Sequence, residues 1–104
     1  MTIEEFKASI RADSQPDLTP PLRALWHDAR GEWDRAHAVA QEIHDTTGAW
    51  IHAYLHRKEG DRDNAAYWYG QANQPVATDS LDTEWTRIAT ALLATGGSAG
   101  SGGQ

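Results

Sequence analysis

A short skeleton of residues occurs twice in this chain, at a constant offset of 29 positions. The two copies lie in LRALWHDARGEWDRAHAVAQEI and in WIHAYLHRKEGDRDNAAYWY. The paired positions are Ala24 and Ala53, His27 and His56, Gly31 and Gly60, Asp34 and Asp63, and Ala36 and Ala65. In each copy, apolar residues at helical spacing precede the glycine and resume after it, and glycine readily takes the left-handed conformation that ends a helix. The duplication therefore predicts two hairpins, each made of two antiparallel helices.

The other apolar periodicities extend this prediction to six short helices, and no segment shows the strict alternation of a strand. Thr2 and Glu5 have the spacing of a capping box in front of helix 1. The segment 46–48, Thr-Thr-Gly, is predicted to end helix 3. The predicted ranges are about 3–12, 20–30, 32–45, 49–59, 61–73 and 81–93. The predicted fold class is all-α, with stacked antiparallel helical hairpins and with helices 1 and 6 as terminal caps.

Length and charge limit the class of protein. The 104 residues fit one domain, predicted to span residues 1–95, while the Gly- and Ser-rich stretch 96–104 is predicted to be a flexible tail or an appended linker. The net charge is −6 and no basic stripe is present, so a nucleic-acid partner is not expected. No apolar run approaches the ~18 residues of a membrane span, so no membrane is expected. The absence of Cys excludes thiolate metal sites and is typical of a cytoplasmic protein.

The segments ARGEWDRAHAVAQEI and RKEGDRDNAAYWYGQA resemble the turn and second helix of tetratricopeptide and Sel1-like repeats. The first matches through Gly31, Trp33 and Ala36, and the second through Gly60 and Ala65, although Arg62 replaces the aromatic residue. The offset of 29 is shorter than the 34 residues of a tetratricopeptide unit. With the high Trp and Tyr content and no catalytic motif, the predicted function is a non-enzymatic helical-repeat module without a cofactor. It would bind a protein or peptide, including a second copy of itself.

Eight residues are the candidate contacts of such a module. Those on the first helices of the hairpins would line a concave face that receives an acidic peptide end, and the tyrosines would form an aromatic contact patch. They are Arg23, His27, Arg30, His52, His56, Arg57, Tyr67 and Tyr69. The alternative interpretation is a solvated charged surface for the cations and interior packing for the aromatic rings.

The alternative function is a His-rich metal-binding protein or a small metal-dependent enzyme. His52, His56 and Glu59 are spaced i, i+4, i+7, which places them on one face of a helix, and two imidazoles with a carboxylate form a known zinc ligand set. His27 is a candidate for a further ligand. Packing between helices is the preferred interpretation of His27 and His56, because they occupy matched positions of the duplication, and a pH switch is a third possibility.

Overall fold

The computed structural model describes residues 1–95, and the fold is all-α, as the sequence predicts. The helices are α1 (Ile3–Arg11), α2 (Pro20–Ala29), α3 (Trp33–Gln41), α4 (Thr46–Lys58), α5 (Arg62–Ala72) and α6 (Leu81–Ala94). The described part of the chain contains no strand. The predicted flexible tail, residues 96–104, lies outside the described residues. None of the described helices is long and apolar enough to cross a membrane.

The two matched glycines end the first helix of each hairpin in the same way. Gly31 has a φ of +79° and Gly60 a φ of +91°, a region that residues with a Cβ rarely occupy. After Gly31, the backbone N–H of Glu32 donates to the carbonyl of His27 at 3.0 Å. The equivalent bond after Gly60 runs from Asp61 to His56 at 2.9 Å. Both turns therefore form the hydrogen-bond pattern of a Schellman cap, which explains why the glycine recurs.

The boundary between α3 and α4 differs from the prediction. The segment 46–48 does not end α3; it forms the first turn of α4, and α3 already ends at Gln41. Asp45 is the N-cap of α4, since its carboxylate accepts from the backbone N–H groups of Thr47 at 3.0 Å and Gly48 at 3.1 Å. A Cβ at Gly48 would lie 2.1 Å from the carbonyl oxygen of Ile43. Gly48 therefore does not break a helix. Its missing Cβ lets the first turn of α4 lie close to the backbone of Ile43, in the segment before the helix.

The hairpins α2–α3 and α4–α5 pack through the contact of α3 with α4. The two terminal helices lie together, because α6 packs against α1 as well as against α2 and α4. Trp85 of α6 stacks on Phe6 of α1 with the ring centroids 5.6 Å apart, and its indole N–H donates to the carbonyl of Leu25 at 3.1 Å. Helix α6 therefore covers part of the α2–α4 face where the sequence predicts peptide binding.

The main core lies where α1, α2, α3, α4 and α6 meet. Trp26, Leu55 and Trp85 are buried there. Trp33 and Trp68 are only partly buried: Trp33 packs against the main core, and Trp68 packs against a smaller cluster of Ala53, Ala65 and Tyr69.

A buried carboxylate joins three helices at the C-terminal end of α4. Glu84 of α6 is 0% exposed and accepts from Arg57 of α4 at 2.7 Å and from the hydroxyl of Tyr69 of α5 at 2.5 Å. Burial, together with the bond to Glu84, raises the pKa of Tyr69, so this hydroxyl remains a proton donor. Removing either donor would leave a buried charge with fewer partners.

A second buried carboxylate, Asp28 of α2, is held in the same manner. It is 2% exposed and accepts from the hydroxyl of Tyr54 and the ammonium group of Lys58, each at 3.0 Å. Because Lys58 directly follows Arg57, adjacent cations of α4 serve carboxylates on two different helices. These contacts fix how α4 is rotated between α2 and α6.

Candidate metal centre

Three histidines from two helices meet beside the α3–α4 contact. His37 lies on α3, and His52 and His56 lie one turn apart on α4. One ring nitrogen of each can be chosen so that all three lie within 4.8 Å of one another. The ring centroids of His37 are 5.0 Å from those of His52 and 5.4 Å from those of His56. We call these three residues the histidine cluster.

Two tryptophans flank the histidine cluster. Trp33 stacks on His37 with centroids 4.9 Å apart, and its indole N–H donates to the carbonyl of Leu55 at 3.0 Å. Trp68 of α5 stacks on His52 with centroids 4.3 Å apart and the planes 14° from parallel. The partly exposed tryptophans therefore hold two of the three imidazole rings in place.

A carboxylate orients the third ring. Nδ1 of His56 lies 2.6 Å from Oε1 of Glu59, which leaves Nε2 as its free ring nitrogen. The predicted set of His52, His56 and Glu59 does not form one group: His56 lies with His37 and His52 on the one hand, and with Glu59 and Asp61 on the other. A histidine held by a carboxylate through one nitrogen and free at the other is the usual arrangement of a metal-ligating histidine.

Burial favours the neutral form of two members of the histidine cluster, His52 and His37. His52 is 6% exposed, and loss of solvation, reinforced by the neighbouring His37 and His56, lowers its pKa to about 4. Loss of solvation also lowers the pKa of His37, and His56 contributes to that decrease. Nδ1 of His52 is buried without a hydrogen-bond partner among the described residues. A neutral imidazole nitrogen with an unused lone pair is suited to bind a metal ion.

A surface cleft of about 430 Å³ is lined in part by His52. Its lining includes the indole of Trp68, two glutamine amides and one carboxylate. The polar and aromatic lining residues are Gln41, His44, Asp45, Thr46, His52, Trp68 and Gln71. No Lys or Arg is among the described residues that line it. The cleft therefore borders the histidine cluster at His52.

The predicted contacts on α2 lie apart from the histidine cluster. His27 bonds Glu32 at 2.8 Å through Nδ1 and is not one of the three clustered residues, so it supplies no further ligand there. Arg30 lies over the ring of Trp26, with Cζ 4.9 Å from the centroid, and pairs with Asp13 at 2.5 Å. Arg23 is partly buried on the same helix.

The remaining predicted contacts, on α4 and α5, divide between the interior and the surface. Arg57 bonds Glu84 and the carbonyl of Asp79, so its guanidinium is engaged within the chain. Tyr69 is 1% exposed, and its ring therefore does not belong to a surface patch. Tyr67 is 58% exposed and contacts the edge of Trp68, with centroids 5.2 Å apart.

His37 is the member of the histidine cluster that the sequence did not single out. Its matched position 29 residues later is Ala66, so the duplication gives it no partner. Its place four residues after Trp33 on one helix face is a local signal, but the contact with α4 depends on how the two hairpins pack. No family model, no curated protein and no solved structure matches this chain.

Proposed function

We propose that this protein binds one divalent transition-metal ion through His37, His52 and His56. The observation that carries the proposal is the approach of three imidazole nitrogens to within 4.8 Å of one another. Zn²⁺ with imidazole nitrogens at 2.0–2.1 Å in tetrahedral geometry holds those nitrogens about 3.4 Å apart. Binding would draw the rings inward by rotation about their side-chain bonds, with no change of fold.

The surroundings of the histidine cluster support this proposal. At neutral pH the lowered pKa of His52 means that a metal ion has no proton to displace from that ring. The contact of Glu59 with His56 provides the carboxylate that usually orients a ligating histidine. Imidazole is a good ligand for Zn²⁺, Cu²⁺ and Ni²⁺, and the chain has no thiolate to compete for them.

The test uses tag-free protein dialysed against Zn²⁺, with bound metal counted by elemental analysis. We expect one Zn²⁺ per chain in the unaltered protein and none in His52→Gln or His37→Gln. Glu59→Gln is expected to weaken binding 10- to 100-fold, because it removes only the orienting carboxylate.

The matched control is His27→Gln. His27 occupies the equivalent position of the other hairpin and is also paired with a carboxylate, but it lies outside the histidine cluster. It should bind zinc as the unaltered chain does. Absence of zinc from the unaltered protein, or equal loss of zinc in the control, would refute the proposal.

Binding of a protein or peptide is a second proposal, supported by the exposure of Tyr67 next to Trp68. An exposed tyrosine beside a second aromatic ring is typical of contact surfaces. The resemblance to tetratricopeptide repeats and the cytoplasmic location are part of this second proposal. Light scattering over a range of protein concentrations tests the case of self-association, and Tyr67→Ala should then reduce the average mass. A mass of one chain at every concentration would exclude a second copy as the partner.

A further inference from the structure

We infer that the metal ion has an open coordination position, which takes a small, uncharged, planar nitrogen ligand from the cleft at His52. This inference rests on the proposed metal site and adds the chemical class of its ligand. Three histidines supply three of the four positions that Zn²⁺ or Co²⁺ takes in tetrahedral geometry. Structural zinc sites have four protein ligands, whereas sites with three protein ligands leave one position to water or substrate.

The cleft gives that ligand a route of access. His52 belongs both to the histidine cluster and to the cleft lining, so the cleft leads to a metal ligand. Trp68 lines the same cleft, with one face of its indole against His52, so an aromatic side chain borders the route to that ligand. Glu59 is bonded to Nδ1 of His56 and does not line the cleft, so it does not block this route.

Charge favours a neutral ligand over an anion. The charge of the dipositive ion would be offset in part by Glu59, which contacts His56, and the carboxylate of Asp45 in the cleft lining would repel an anion. No described Lys or Arg lines the cleft, so no fixed cation would attract a carboxylate or a phosphate. The amides of Gln41 and Gln71 offer hydrogen bonds to an uncharged polar group. A small planar nitrogen heterocycle satisfies these features by donating a lone pair to the metal while its ring lies against the part of Trp68 that lines the cleft.

The experiment uses Co²⁺-loaded full-length protein, with imidazole and azide as the probes. Co²⁺ absorption in the visible range reports a change in its ligands. We expect imidazole to shift the spectrum with saturation, and azide to require at least a tenfold higher concentration. Trp68→Ala protein that still holds Co²⁺ should bind imidazole roughly 3- to 10-fold more weakly, the equivalent of one lost aromatic contact. Tyr67→Ala is the matched control and should leave imidazole binding unchanged, because Tyr67 does not line the cleft.

Several outcomes separate the two proposals. Failure to bind Co²⁺ would overturn both the metal site and its open position. Stoichiometric Co²⁺ binding without a response to imidazole, or with azide as the stronger ligand, would overturn only the inference about the ligand. Loss of Co²⁺ affinity by tenfold or more in His44→Ala would show that His44 fills the fourth position, and this would also overturn the inference. A metal-dependent dimer in sedimentation, with a partner's side chain in that position, would do the same.

Discussion

Acid should destabilise this protein through His52 before its carboxylates are protonated. His52 is neutral in the folded chain, with a pKa of about 4, whereas an unfolded histidine has a pKa of about 6.5. Between these values the unfolded chain binds a proton that the folded chain does not. The stability present above pH 6.5 is therefore lost progressively as the pH falls toward 4. At pH 5, the two pKa values correspond to a loss of about 2 kcal/mol from this residue alone.

The assay is urea unfolding followed by far-ultraviolet circular dichroism at pH 7.5 and pH 5, with EDTA present to exclude metal ions. The unaltered protein is expected to lose about 2 kcal/mol more than His52→Gln between the two conditions, because glutamine does not titrate. His37 acts in the same direction, since its pKa is also lowered, and it remains in both proteins. His44→Gln controls for removal of an imidazole from an exposed site. Equal losses in the unaltered protein and in His52→Gln would refute the argument that burial keeps this ring neutral.

Three further predictions concern stability, each measured as the change in free energy of unfolding. Gly60→Val should destabilise the fold by more than about 1 kcal/mol because Gly60 has a φ of +91°. Gly70→Ala should stabilise the fold by up to about 1 kcal/mol, because Gly70 lies within α5 and an added Cβ would meet no other atom. A change of the same sign in both variants would contradict the cap geometry. Gly48→Ala should destabilise more than Gly60→Val, since its Cβ would overlap the backbone of Ile43; an unchanged midpoint would show that the two backbones separate easily. Tyr69→Phe should cost about 1.5–3 kcal/mol by removing a donor to a buried carboxylate, and it fails as a prediction if the loss is no larger than in Tyr67→Phe.

Much of the local structure of this fold can be predicted from the sequence. Gly31 and Gly60 end their helices through backbone geometry that depends only on neighbouring residues, and Thr2 with Glu5 forms the predicted capping box. The α3–α4 boundary was missed because Gly48 reads as a helix breaker when the cap at Asp45 is not considered. Its actual role is to permit the close approach of the carbonyl of Ile43, five residues earlier, a contact that apolar periodicity does not show.

The candidate site was only half predictable for a similar reason. His52 and His56 share a helix, so their spacing places them together, and Glu59 is near enough to reach His56. His37 joins them through the packing of one hairpin on the other, which local periodicity does not determine. The position of α6 depends on the same kind of long-range contact. Glu84 of α6 pairs with Arg57, 27 positions earlier in the chain. From the sequence alone, Arg57 is predicted to be a surface cation that contacts a ligand, because this pairing is not visible there.

The position of α6 has a consequence for the order of events during synthesis. Chains emerge from the ribosome with the N-terminal end first, and α6 is the last of the described helices to appear. Until then, α2 and α4 lack Trp85, Ile88 and Leu92, which cover their shared apolar side, and Phe6 lacks its stacking partner. The two hairpins can form locally as they emerge, but the main core closes only when α6 arrives. A nascent chain stalled before Leu81 should therefore expose an apolar surface that a ribosome-associated chaperone would bind.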